Sequence, residues 1–231
     1  MRVGVMTHIG QVRAVNQDAY LMRDSLVAVA DGMGGHQAGE VASQLALEVI
    51  ETWPFDAEHP QASLRQAFAE ANSQVFELAQ RDPNMAGMGT TLSLAWLIHD
   101  KAYLAHIGDS RIYKFHGEGL EQITRDHSVV GELLRSGALS EEEALVHPHR
   151  NVLTRSLGTG PVTSFDLHEV PLRVGEGLFL CTDGLYSLIQ SAELAAAIRD
   201  ADDPQSAMEG LVALANQRGG HDNITALLVL V

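Results

Sequence analysis

Leu26-Val-Ala-Val-Ala-Asp31-Gly-Met-Gly-Gly35 is a strand-length apolar run that breaks on an acidic side chain followed by glycines. An unbroken apolar run of this length, bounded by turn residues, fits a strand buried on both faces. The arrangement recurs. Gly177-Leu-Phe-Leu-Cys-Thr182 runs into Asp183-Gly184, and residues 102–107 run into Gly108-Asp109-Ser110-Arg111. Asn16-Gln17-Asp18 immediately precedes an early apolar run, and Gly219-Gly-His-Asp222-Asn223 immediately precedes the last one. A single Asp-Gly reads most simply as a turn, because Asx side chains hydrogen-bond their own backbone. Five aspartates at strand edges are harder to explain that way. If the strands converge, the carboxylates form one cluster whose mutual repulsion raises their pKa values, and hard divalent cations relieve it. Ligands that are all oxygen favour magnesium or manganese over zinc. Adjacent glycines let backbone carbonyls come close.

Outward from these runs, strand-like sequence bunches at 2–6 with 19–30, at 91–123, at 164–181 and at 224–231. Between the bunches, 39–53 places Val41, Leu45, Val49 and Ile50 near helical spacing, and 62–80 repeats the pattern with Leu64, Phe68, Ala71, Val75 and Leu78. Segments 192–199 and 205–216 read as helices too. Bunching of this kind predicts an α+β fold rather than a doubly wound parallel sheet. No repeat, low-complexity tract or Pro/Ser-rich linker divides the chain, so 1–231 reads as one domain. Segment 131–160 stands apart. It is polar, carries the acidic run 141–143 and His147-Pro148-His149, and reads as a flap excursion with one or two short helices, or else as a variable surface loop.

Composition excludes several classes. At 231 residues, 45% apolar, the chain can bury a substantial core. Its net charge is −15, and Lys101 and Lys114 are its only lysines, which argues against a phosphate-tracking surface for nucleic acid. No apolar stretch approaches the roughly 20 residues of a membrane helix, and the opening MRVGVMTHIG lacks a secretory h-region. A lone cysteine, Cys181, forms no internal disulfide, so a reducing, cytoplasmic setting is expected. Nor can it complete a structural zinc site. Cys181-Thr-Asp-Gly-Leu-Tyr-Ser187 contains no phosphate-cradling arginine, so the thiol reads as buried and structural. Gly32-Met-Gly34 has Gln37 where a dinucleotide fingerprint has its third glycine, and no GxxxxGK[ST] loop occurs.

Taken in order, eight stretches resemble the PPM family, the type 2C metal-dependent protein serine/threonine phosphatases, in its short bacterial form. They are Arg13-Ala-Val-Asn-Gln-Asp18, Ala30-Asp-Gly-Met-Gly-Gly35, Gly89-Thr-Thr91, Gly108-Asp-Ser-Arg111, Thr124-Arg-Asp-His-Ser128, Ser156-Leu-Gly158, Thr182-Asp-Gly-Leu185 and His221-Asp-Asn223. The resemblance implies a central sandwich of two antiparallel sheets flanked by helices, with metals at one end and a small flap. It implies that Asp18, Asp31, Asp183 and Asp222 ligate two manganese or magnesium ions, helped by the carbonyl of Gly32. Asp109, with Asp183, would hold a weaker third ion, and Arg13 would grip the substrate phosphate. Asn223 would orient Asp222, and Thr90 and Thr91 would support the sheet beside the site. Asp126 and Ser128 read as the start of a helix. The implied chemistry is hydrolysis of phosphoserine and phosphothreonine by a hydroxide bridging two cations. Met33 stands where many eukaryotic relatives carry histidine, which leaves His36, a metal-bound water or His147 as the acid. Gln17 stands where many have Glu. Two rivals remain: a phosphoprotein-binding relative without turnover, and a two-metal hydrolase of other phosphate esters. Expected partners are phosphoproteins and a cognate Ser/Thr kinase, with a monomer acting away from nucleic acid and membrane.

Overall fold

Apolar strands that bury both faces must be covered on both sides, and the chain does this with four layers. The computed structural model describes residues 1–35, 37–117 and 119–231, with backbone alone at 141 and 145. In chain order the elements are β1 (Arg2–His8), β2 (Asp18–Arg23), β3 (Leu26–Met33), α1 (Ala38–Thr52), α2 (Pro60–Arg81), β4 (Gly89–Thr90), β5 (Leu92–Ile98) and β6 (Lys101–Ile107). Then follow β7 (Arg111–Phe115), β8 (Leu120–Gln122), α3 (Val129–Arg135), α4 (Glu141–Leu145), β9 (Asp166–Pro171), β10 (Gly177–Cys181), α5 (Asp183–Tyr186), α6 (Ser191–Asp200), α7 (Pro204–Gln217) and β11 (Ile224–Leu230). One sheet runs β1-β11-β10-β7-β8 and the other β2-β3-β5-β6-β9, with β4 paired to β3. Their ladders are antiparallel. This is the α+β fold that the bunching of strands predicts, in the antiparallel sandwich that the resemblance implies. No helix among the described residues is long and apolar enough to cross a membrane.

The period of two explains the layering. On β3, Val27 and Val29 point between the sheets, while Leu26, Ala28 and Ala30 point at α1 and α2. On β10, Leu178 and Leu180 enter the inter-sheet core, while Phe179 and Cys181 face α6 and α7. Each fully buried Val or Leu contributes roughly 1.5–3 kcal/mol of transfer free energy. The helices begin where local chemistry permits. Pro60 and Pro204 occupy first turns, and Asp203 accepts the N–H groups of Gln205 and Ser206. Segment 131–160 contains α4, whose capping box pairs Ser140 with Glu143.

What matters for function is which ends meet. Antiparallel pairing sets the start of each strand beside the end of its neighbour. Asp18 opens β2 directly opposite Asp31 near the end of β3. In the other sheet, Cys181 at the end of β10 pairs with Ala226 near the start of β11, which brings the residues flanking Asp183 and Asp222 to one edge. Asp109 lies in the short link by which β6 of one sheet passes to β7 of the other.

Candidate metal centre

Asp18 is held across the sandwich. Its Oδ2 accepts hydrogen bonds from Thr182 Oγ1 at 2.8 Å and Thr225 Oγ1 at 2.7 Å, both in the opposite sheet. Its Oδ1 is buried without a partner among the described residues. Burial pushes the Asp18 carboxyl up to about 7, against the pull of the two threonines and with help from Asp183 and Asp222. Asp31 is pushed well above the ordinary carboxylate range, by burial first and then by Asp18, Asp183, Asp109 and Asp222. Asp183 rises to about 6 through burial and Asp222, while a hydrogen bond with Asp31 and the charge of Arg13 oppose the rise. Asp109 rises through burial, then through Asp183 and Asp126. The fold thus gathers Asp18, Asp31, Asp109, Asp183 and Asp222 into one mutually repelling group.

Such a group is costly unless countercharge is supplied. One cation beside it is Arg13, whose Nη2 lies 2.7 Å from Asp222 Oδ2 with about half of its side chain exposed. The orphaned Oδ1 of Asp18 and the raised carboxyls fit added cations. Among the described residues no three His, Cys, Asp or Glu side chains close around one point as a single-ion cage. Magnesium-like ions suit an all-oxygen donor set, because they retain several waters and take only one or two carboxylates each. A closed zinc cage does not suit it.

The glycines that follow Asp31 and Asp183 serve contact rather than turning. Neither Gly32 nor Gly184 adopts a positive φ. A Cβ on Gly32 would collide with the carbonyl of Gly39 at the start of α1, and one on Gly184 would collide with the carbonyl of Asn223. Thr90 and Thr91 clasp the backbone of Asp31: Thr91 Oγ1 accepts its N–H at 2.9 Å and Thr90 Oγ1 donates to its carbonyl at 3.0 Å.

Asn223 meets Asp222 through its backbone N–H, which donates to Oδ1 at 2.8 Å, whereas its side chain serves another purpose. Its Nδ2 donates to the carbonyls of Ile9 and Val15, both at 2.9 Å, and its Oδ1 accepts Gln17 N–H at 2.8 Å, so it pins the loop that carries Arg13. Ser128 caps α3 as expected, accepting Gly131 N–H. Asp126 instead forms an ion pair with Arg111, Nη2 to Oδ2 2.8 Å, and Arg111 stacks 3.6 Å from the ring centre of Tyr186. Tyr186 in turn donates to the carbonyl of Asp109 at 3.0 Å. Sequence reading did not single out Thr182, Thr225, Asn223 as a loop anchor, or Tyr186. The available signal was a polar residue interrupting an apolar run at its end, as in Cys181-Thr182 and Ile224-Thr225. His36 lies outside the described residues. Cys181 is buried and its thiol is pushed up by burial, as a structural thiol would be.

A cleft of about 660 Å³ opens from Asp109, Asp183 and Asp222, with His221 on its wall. Fold and site together define a class, an α-β-β-α sandwich with clustered carboxylates at one edge. The protein phosphatase 2C family model matches residues 7–228, and the chain belongs to that family. It is 38% identical to the protein phosphatase PhpP of Streptococcus pneumoniae over 239 residues, 99% of this chain and 97% of the other. It superposes on the serine/threonine phosphatase PstP/Ppp of Mycobacterium tuberculosis with a TM-score of 0.92 and 34% identity, covering 98% and 97% of the two chains. The catalytic domain of PstP solved with two manganese ions matches at a TM-score of 0.90 and 33% identity, over 98% and 96%.

Proposed function

We propose that this chain is a metal-dependent protein phosphatase that hydrolyses phosphoserine and phosphothreonine. The observation that carries the reading is the convergence of Asp18, Asp31, Asp183 and Asp222 from separate strand ends on one half-buried edge, where Asp18 Oδ1 has no partner among the described residues. Asp18, Asp31, Asp183, Asp222 and the carbonyl of Gly32 are the groups that would hold two ions, manganese or magnesium, and Asp109 with Asp183 would hold a third. Bound there, such ions acidify water and offset charge on the phosphate.

The protein's own residues do the rest. Thr182 and Thr225 fix Asp18 in one rotamer, so its free oxygen is preorganised toward the site. Arg13, half exposed and tethered at Asp222, can turn its guanidinium fork onto a phosphate oxygen. The leaving alkoxide needs a proton, which the thioether of Met33 cannot donate. His221 lines the cleft beside Asp222, whereas His147 does not line it, so His221 is the acid we assign.

Hydrolysis of p-nitrophenyl phosphate and a phosphothreonine peptide with manganese, abolished by EDTA and by Asp183→Ala, is the expected result. Phosphopeptide binding without turnover would favour the binding relative; turnover of diesters alone would favour the other hydrolase. A cognate Ser/Thr kinase, a monomeric state and a cytoplasmic location complete the proposal. Phosphoproteomics of a deletion strain tests the first, and sedimentation and fractionation test the others.

A further inference from the structure

The cleft lined by the carboxylates is also lined by arginines. Asp109, Asp183 and Asp222 share its wall with Arg125, Arg135 and Arg150. The chain has 15 basic side chains against 30 acidic ones, so three arginines facing one cleft are a strong local bias. Most other arginines near carboxylates are paired, as Arg13, Arg81, Arg155 and Arg218 are. Arg111 in the same cleft is neutralised by Asp126. Arg135 is fixed by donating Nη1 to the carbonyl of Asp126 at 2.8 Å. Arg125 and Arg150 are exposed and have no side-chain partner among the described residues. In so acidic a protein, unpaired guanidiniums beside a catalytic edge are positioned to meet an anion brought by the ligand. A guanidinium fork suits a carboxylate or a phosphate equally well.

We infer that Arg125, Arg135 and Arg150 read anionic side chains flanking the phosphorylated residue, so that the enzyme prefers phosphoprotein segments rich in Asp or Glu, or carrying a second phosphate. This rests on the phosphatase reading above. The phosphate undergoing hydrolysis belongs at the carboxylates. An anion met by the arginines therefore comes from a neighbouring position of an extended segment, which advances about 3.3 Å per residue.

The test compares kcat/KM, with manganese, for phosphothreonine peptides carrying Asp on one side or the other of the phosphorylated residue, the same peptides with Asn, and versions with a second phosphothreonine in place of Asp. The acidic peptides on one side should exceed the Asn peptides in kcat/KM by about fivefold or more, through a lower KM, and the gap should shrink at high salt. Arg125→Glu with Arg150→Glu should reverse the ratio, and the paired Lys substitutions should retain much of it. A gain from the second phosphate alone would identify phosphate as the anion read, and a gain from Asp would identify carboxylate. Equal turnover of all the peptides, or a preference that survives the double Glu variant, overturns the inference while leaving the phosphatase reading intact. Absence of turnover even on p-nitrophenyl phosphate by the unmodified protein overturns both.

Discussion

Asn223→Ala should loosen the loop that carries Arg13 while leaving every carboxylate in place. The side chain is 5% exposed and makes three hydrogen bonds to backbone groups, two donated at 2.9 Å to Ile9 and Val15 and one accepted at 2.8 Å from Gln17. Each such bond contributes about 1 kcal/mol net, and a buried backbone group left without a partner costs somewhat more. The truncation should therefore destabilise the protein by about 3 kcal/mol. The loop would not detach, because Gln11 N–H still reaches the Gly220 carbonyl at 2.7 Å and Asn16 Nδ2 still reaches Thr7 Oγ1 at 3.0 Å. Urea unfolding in EDTA measures the stability term without cation linkage. Steady-state kinetics with a phosphothreonine peptide measures the second effect, a raised KM as Arg13 loses its fixed position. A loss below about 1 kcal/mol, with KM unchanged, would refute the assignment of Asn223 as the anchor of this loop.

Two further outcomes follow from the site. His221→Ala should depress kcat on a phosphothreonine peptide far more than on p-nitrophenyl phosphate, whose leaving group needs no proton, and equal losses on both would remove His221 as the acid. In metal-free protein the folded value of Asp18, about 7, lies above its ordinary 3.8, so its protonation stabilises the fold fully below 3.8 and that contribution is lost as pH rises through about 7. Above that pH the buried carboxylate costs about 4 kcal/mol, of which about half is recovered at pH 5.5. The stability of EDTA-treated Asp18→Asn relative to wild type should thus decrease by about 2 kcal/mol between pH 8 and 5.5, as read from chemical denaturation. A difference that does not change with pH would contradict the buried, cation-seeking carboxylate.

Much of the architecture was legible locally. The helical periodicity at 39–53, 62–80, 192–199 and 205–216 corresponds to α1, α2, α6 and α7 within two residues at each end. Apolar face, capping residue and proline all act within a turn or two, so they leave their trace in neighbouring residues. The aspartates at strand ends were legible for the same reason, since a strand and its terminating turn are contiguous. The antiparallel sandwich itself came from the family's motifs rather than from periodicity. A run such as Leu26–Ala30, buried on both faces, does not reveal its partner strand.

What the amino-acid order determined by itself, then, was the set of elements and the carboxylates at their ends. Tertiary structure alone decided which groups meet: Asp18 opposite Asp31, Asp18 in the grip of Thr182 and Thr225, and Arg111 between Asp126 and Tyr186. Asn223 shows the reason most clearly. Its side-chain partners lie 206 to 214 residues away, and a hydrogen bond over that separation depends on how the sheets close, leaving no periodic mark on either segment.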